Sequence, residues 1–141
     1  MVTAALAAFG ARADALPVRL VSAIAEVGKE ATYAIPAGDS VNIDKDKEII
    51  LARTGAHLFA FDLSCPHQNT ALRWNAADKR FQCPKHKSLY SAEGVYLEGR
   101  ATRSMDRHAI RRDGSNVIVD LDKVYEEDQD VPQWKVAFIT L

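Results

Sequence analysis

The chain has 141 residues, with 18 Lys and Arg against 19 Asp and Glu and a net charge of −1. That length fits one domain with a real core, and the 48% hydrophobic content is ordinary for a globular chain. The charge is near zero, with no basic stripe, which argues against nucleic acid as a partner, and no repeat or low-complexity tract is present.

Residues 1–15 differ from the rest. Val2 to Ala11 is small and apolar, and Ala13-Asp14-Ala15 offers a small-x-small site before Leu16-Pro17. This has the form of the last part of an export signal cut after Ala15, and it is too short to span a bilayer. No basic stretch or twin arginine precedes it. The expectation is an exported, periplasmic protein; if the segment is instead an ordered alanine-rich arm, the protein is cytoplasmic.

From residue 17 the pattern is β. Val18–Val21 and Thr32–Ile35 read as short strands, the second closed by Pro36-Ala37-Gly38-Asp39. Glu48–Arg53 and His57–Asp62 are β-prone apolar runs around Thr54-Gly55-Ala56, which predicts a hairpin. Lys79–Gln82 is another short strand. Ala109–Arg112 and Asn116–Leu121 flank the turn Asp113-Gly114-Ser115. Close-spaced strands and turns predict a small antiparallel β domain. Beyond it, Glu126-Glu127-Asp128-Gln129-Asp130 is a solvated acidic run. Asp130 and Pro132 could open a short helix, with Trp134, Ala137, Phe138 and Leu141 sharing the face that packs on the core or on a partner.

Two pieces carry most of the functional information: Cys65-Pro66-His67 and Cys83-Pro84-Lys85-His86. They hold both of the chain's cysteines. Each piece directly follows a predicted strand, so each is a loop. Two thiolates and two imidazoles on two loops form the ligand set of a [2Fe–2S] centre in which histidines replace two cysteines on one iron. Each loop can give a sulfur to one iron and a nitrogen to the other. Pro66 and Pro84 fix φ and stiffen the loops. Three other readings stand beside this one. Cys65 and Cys83 could form a disulfide; the four ligands could hold one zinc, although Cys-x-His is short for a zinc arm; or the residues could be unrelated core and surface positions.

The stretch His86-Lys87-Ser88-Leu89-Tyr90, followed by Gly94 and Gly99, resembles the second cluster loop of Rieske proteins, where the histidine precedes Gly-Ser-x-Tyr. The resemblance implies that Cys65 and Cys83 hold the inner iron and that His67 and His86 hold the outer iron, which changes valence. It also implies that the Ser88 hydroxyl donates to a bridging sulfide and the Tyr90 hydroxyl to a cysteine sulfur, both raising the potential. The implied fold is all-β: stacked antiparallel sheets over residues 16–122, an inserted cluster-binding subdomain at about 63–92, a short N-terminal arm, and a C-terminal tail at 123–141. The implied cofactor is one [2Fe–2S] cluster per chain, with a potential of roughly 0 to +200 mV.

The sequence departs from that family in three places. Lys85 stands where Rieske proteins of quinol-oxidising complexes carry an extra disulfide cysteine, so quinol oxidation is in doubt. Lys87 replaces the glycine, so the backbone there either is not left-handed or carries strain. The third loop, residues 99–104, has no proline and two arginines, Arg100 and Arg103, which could form a cationic rim for an anionic partner. Trp74 lies between the ligand loops and is expected to pack beneath the cluster subdomain. His57 and His108 are expected to be structural or surface residues.

The expectation is a one-electron carrier passing electrons between redox partner proteins, and not itself an enzyme. Its rivals are a Rieske subunit of a larger oxidoreductase complex, the ferredoxin component of an oxygenase, and a zinc-stabilised interaction module. A catalytic oxygenase subunit would need a second iron site with a 2-His-1-carboxylate set, for which the chain is too short.

Overall fold

The structure, a computed structural model, describes residues 28–85 and 87–141. The leader-like residues 1–15, the strand expected at Val18–Val21, and His86 lie outside the described residues.

Two antiparallel sheets make up the body. The larger contains β1 (Glu30–Ala34), β2 (Ser40–Asp44), β3 (Ile49–Thr54), β4 (His57–Asp62), β9 (Arg107–Asp113) and β10 (Asn116–Tyr125), in the order β1-β10-β9-β4-β3-β2. The smaller contains β5 (Arg73–Asn75), β6 (Arg80–Gln82), β7 (Leu89–Ser91) and β8 (Tyr96–Glu98), paired in sequence order. The nearly all-β, stacked antiparallel architecture matches the expectation.

The β3–β4 hairpin is the centre of the fold, in the register Ile50↔Phe61 and Ala52↔Phe59. Its apolar residues run consecutively, Ile49 to Ala52 and Leu58 to Phe61, and all are buried. Consecutive burial means that both faces of the hairpin are covered. Ile50, Ala52, Phe59 and Phe61 face a core that also holds Leu63, Cys65, Leu72, Phe81, Cys83, Tyr90 and Met105. Ile49, Leu51, Leu58 and Ala60 face the opposite way, onto Val117 and Val119 of β10. The large sheet therefore curls so that β10 covers the back of the hairpin, while the small sheet sits on its front.

The front face is aromatic. Phe59 and Phe61, two residues apart, stack at 5.4 Å between centroids, and Phe61 meets Phe81 of β6 edge-on at 5.6 Å. Trp74 packs at 4.7 Å from Phe81, under the small sheet as expected. Gly94 approaches so closely that an added Cβ would lie 2.5 Å from the Phe61 ring, and its φ of +77° is one that side chains rarely adopt. A glycine is thus required where the β7–β8 turn meets the hairpin.

Beyond β10 the chain returns to the core. A short helix, α1 (Val131–Val136), starts after Asp130 with Pro132 in its first turn, and only Trp134 of it is buried. The helical face expected to extend to Leu141 does not form. The helix stops at Val136, and β11 (Ile139–Thr140) pairs with β4 at Leu58 and His57. The reason is an open edge: β9 pairs with β4 only at Phe61, and the β-branched pair Ile139-Thr140 takes the unfilled half. Phe138 then packs on Phe59 and on His57.

Arg107 ties this tail down. It is 5% exposed, with its guanidinium 3.8 Å from the Trp134 ring centroid and 4.7 Å from that of Phe59. It donates to the carbonyls of Trp134 and Glu93, and Trp134 Nε1 donates to the Met105 carbonyl. Burial pushes the Arg107 pKa down, while Glu93 and Glu127 oppose the shift. The acidic run expected to be solvated is partly consumed here. Glu127 accepts from the Ser104 amide, and Arg103 pairs with Asp106, Glu126 and Asp128.

Trp134→Ala should cost about 3 kcal/mol in a urea titration, because it empties the space under Arg107 and frees the tail. A loss below about 1 kcal/mol would mean that the tail is not part of the cooperative core. Asp106 gives a pH-dependent test. Burial raises its pKa above the usual aspartate value, with Arg103 pulling the other way. The folded chain therefore keeps the Asp106 proton to higher pH than the unfolded chain does, and its contribution to stability falls as pH rises from about 4 through the raised value. Measured against Asp106→Asn by urea titration, the native protein should lose relative stability over that window; a relative gain would show that the Arg103 pair outweighs burial.

Candidate metal centre

The two cysteine loops share one backbone design. In the first, the Cys65 amide donates to the Thr70 carbonyl at 2.8 Å, and the Asn69 amide donates to the Cys65 carbonyl at 3.0 Å. In the second, the Cys83 amide donates to the Ser88 carbonyl at 2.9 Å, and the Lys87 amide donates to the Cys83 carbonyl at 3.0 Å. Each cysteine thus bonds forward to the fourth and fifth residues after it. The fourth residue is left-handed in both loops: Asn69 at φ 48° and Lys87 at φ 58°. Asparagine tolerates that conformation, whereas lysine carries a strain of about 1 kcal/mol. Of the two outcomes expected at Lys87, the structure takes the strained one.

The elements on either side hold the loops in place. Asp62, at the end of β4, accepts from the Ser64 amide at 2.8 Å, and Ser64 bridges to Ala71 across the first loop. The second loop joins β6 to β7, which pair from Arg80↔Ser91 to Gln82↔Leu89.

This framing puts both sulfurs inside the front core. Cys65 is 1% exposed and Cys83 is fully buried; both are free thiols, in the same buried cluster. The expected disulfide alternative is not the state seen. The Tyr90 hydroxyl lies 3.3 Å from the Cys65 sulfur, and Tyr90 is itself fully buried. Burial pushes the Cys65 thiol pKa up, and the Cys83 thiol adds to the rise. The Tyr90 hydroxyl and the His67 amide, both aimed at the Cys65 sulfur, oppose it. Burial likewise raises the Tyr90 pKa, so the phenol keeps its proton and stays a donor.

Ser88, fully buried, accepts the Ala101 amide at 3.1 Å. That bond fixes its oxygen and leaves its own hydrogen to donate. The third loop reaches Ser88 through Gly99, where an added Cβ would lie 2.4 Å from the Ser88 Cα, at a φ of +109°. Any side chain at residue 99 would push the second loop away.

Of the six residues singled out in the sequence, Cys65, Cys83, Ser88 and Tyr90 meet in one buried group. His67 sits half-buried on the first loop, two residues past Cys65. The sixth, His86, is outside the described residues. Arg103 does not join a cationic rim, because its carboxylate partners hold it at the tail; Arg100 is exposed. His57 packs against Phe138, and His108 is buried, with Nδ1 2.9 Å from the Asp120 carbonyl. Sequence reasoning missed the matched left-handed positions and the Ala101 amide. Asn69, four residues past a cysteine, was a readable signal for the first; nothing in the sequence marks a backbone amide.

Residues 25–118 match the family model for the Rieske [2Fe-2S] domain. Among curated relatives, the cytochrome b6-f complex iron-sulfur subunit of Synechococcus sp. (strain JA-3-3Ab) is 36% identical over 59 residues, covering 42% of this chain and 34% of that protein. The chloroplastic cytochrome b6-f complex iron-sulfur subunit of Triticum aestivum is 33% identical over 78 residues, covering 55% of this chain and 35% of its own length. The matches thus span about a third of these relatives. The crystal structure of the cyanobacterial plasma membrane Rieske protein PetC3 from Synechocystis PCC 6803 superposes with a TM-score of 0.52, at 22% identity, over 63% of this chain and 97% of that one. That likeness concerns the fold alone. With the family model covering most of the described β body, the chain belongs to the Rieske [2Fe-2S] domain family.

Proposed function

We propose that this chain is a one-electron carrier in which Cys65, Cys83, His67 and His86 hold a [2Fe–2S] cluster. The observation that carries the reading is the pair of free thiols buried in one cluster, with a phenol 3.3 Å from one sulfur. A buried thiol with hydrogen-bond donors at its sulfur, beside a second buried thiol, fits a thiolate-bound group, since the donors stabilise negative sulfur. Bound there, the cluster supplies one-electron chemistry at an imidazole-ligated iron.

The chain's own residues tune that chemistry. The Tyr90 hydroxyl and the His67 amide donate toward the Cys65 sulfur, which favours the state carrying the extra electron. We assign a like role to Ser88 on the second loop, whose oxygen accepts the Ala101 amide and whose own hydrogen remains to donate. Phe61, Phe81 and Leu72 form a dry floor, which strengthens these dipoles. Pro66 and Pro84 and the matched loop closures hold the ligands before the metal arrives.

A second reading is a subunit of a larger oxidoreductase complex; the printed names of the cytochrome b6-f relatives favour it. The thiols at Cys65 and Cys83 leave no cysteine for the extra loop disulfide of quinol-oxidising members, which favours the free carrier. No helix among the described residues is long and apolar enough to cross a membrane. We further propose that residues 1–15 form a leader, and that the carrier works on the exported, periplasmic side. N-terminal sequencing of the mature native protein tests this; a mature start at Met1 would defeat it.

The isolated protein should be red-brown and give an axial, low-average-g EPR signal on reduction, and Cys83→Ser should abolish both. A colourless native protein that binds zinc would return the site to the interaction-module reading. Tyr90→Phe should keep the colour but lower the potential by about 40 mV, the one-electron equivalent of roughly 1 kcal/mol for one hydrogen bond. An unchanged potential would make Tyr90 a packing residue. Gly99→Ala should cut cluster occupancy at least about threefold, read as iron per chain, because it displaces the second loop.

A further inference from the structure

The chain is nearly neutral, yet its cysteine end is not. The three stretches that build that end, residues 63–75, 82–92 and 99–105, contain no Asp or Glu. Their Lys and Arg are Arg73, Lys85, Lys87, Arg100 and Arg103, and only Arg103 is neutralised by carboxylates. The other four are exposed, and none is held in an ion pair among the described residues.

Backbone contacts link the positions of these four cations. Gly99 abuts Ser88, so Arg100 and Lys87 project from neighbouring backbone. Lys85 sits in the same closed loop as Lys87. Arg73 lies across the β5–β6 pair from Gln82, the residue before Cys83. Arg73 also lines an apolar groove with Ile43, Lys45, Leu72, Trp74 and Pro84, and this groove runs up to the second loop. Ile43 is 38% exposed there.

Lys87 is left-handed at φ 58°, as Glu48 and Lys79 are in ordinary turns, so a glycine there would relieve strain and leave the loop closure in place.

We propose that this end is a docking surface for an acidic redox protein, with the groove taking an apolar contact and Lys85, Lys87, Arg73 and Arg100 meeting carboxylates around it. The proposal rests on the electron-carrier reading and names the partner's chemistry. Cations around an apolar centre steer an acidic partner during approach and fix its orientation.

The test uses the full, cluster-loaded chain. The reduced protein is oxidised in stopped flow by ferricyanide, an anion, and by tris(phenanthroline)cobalt(III), a cation, across a range of salt. The ratio of the two rates removes changes in driving force common to both. The ferricyanide-to-cobalt ratio should fall about tenfold between roughly 10 and 200 mM salt. Lys85→Glu/Lys87→Glu should invert the preference. Lys87→Gly should reduce the ratio while leaving colour and thermal stability equal or improved, because it relieves the strain. Calorimetry with poly-L-glutamate gives a readout that needs no electron transfer: binding at low salt should be lost in the double variant. A red protein with a salt-independent ratio, or with undiminished poly-L-glutamate binding in the double variant, overturns the docking surface and leaves the carrier reading standing. A colourless protein fails that earlier reading instead. A dimer in sedimentation that Ile43→Glu dissociates gives the groove to a second copy, which also overturns the proposal.

Discussion

Two cysteine side chains lie in one buried cluster where water does not reach, and the rest of the molecule is arranged around holding them there. A thiol in such a place resists ionisation, and burial raises the Cys65 pKa. A thiolate ligand therefore needs dipoles close by to offset lost hydration. Around the Cys65 sulfur the chain supplies two: a phenol on β7 and an amide in the first loop. Each is carried by an element that closes on the β3–β4 hairpin. The aromatic floor and the donors are thus one construction, since the floor makes the donors strong and the donors make a polar site tolerable within the floor.

The matched loops show how the backbone serves the same end. Cysteine sits first in each, and the chain folds back over the next five residues to satisfy both the N–H and the C=O of that cysteine. Side-chain chemistry differs between the loops, with His67 two residues after one cysteine and His86 three after the other. The closure does not differ. This separates what must be rigid, the sulfur anchor, from what varies, the reach of the imidazole. It also accounts for a left-handed lysine at a position where nothing in the lysine side chain calls for that conformation.

Much of this was legible in the sequence, and the reasons for the gaps are physical. The cysteine–proline–histidine pieces were readable because a binuclear site dictates residue type and spacing. The hairpin was readable because β-prone runs flank a turn triplet. The strands β5, β7 and β8 have three residues each, too few to show a period, and exist through pairing with neighbours. Strand β2 was missed for a different reason. Its Ser-Val-Asn-Ile-Asp alternates, but it is an edge strand, and its residues are only half-buried or exposed. Nothing local in the sequence marks the places of Arg107 and Arg103. One is buried between Trp134 and Phe59, the other is held by the acidic run, and those partners lie far along the chain. The spacing of Trp134, Ala137, Phe138 and Leu141 predicts one shared helical face. The open flank of β4, which captured Ile139 and Thr140 instead, is a property of the assembled sheet.

That capture fixes the geometry of the molecule's far pole. Leu141 donates its amide to Ala56, in the turn of the β3–β4 hairpin, while β4 runs away from that turn toward Asp62 and the first cysteine loop. About 17 Å of extended strand therefore separates the two ends. An electrode linker or fluorophore joined to residue 141 would leave the cysteine end pointing outward, so immobilised protein would present its two cysteine loops to solution.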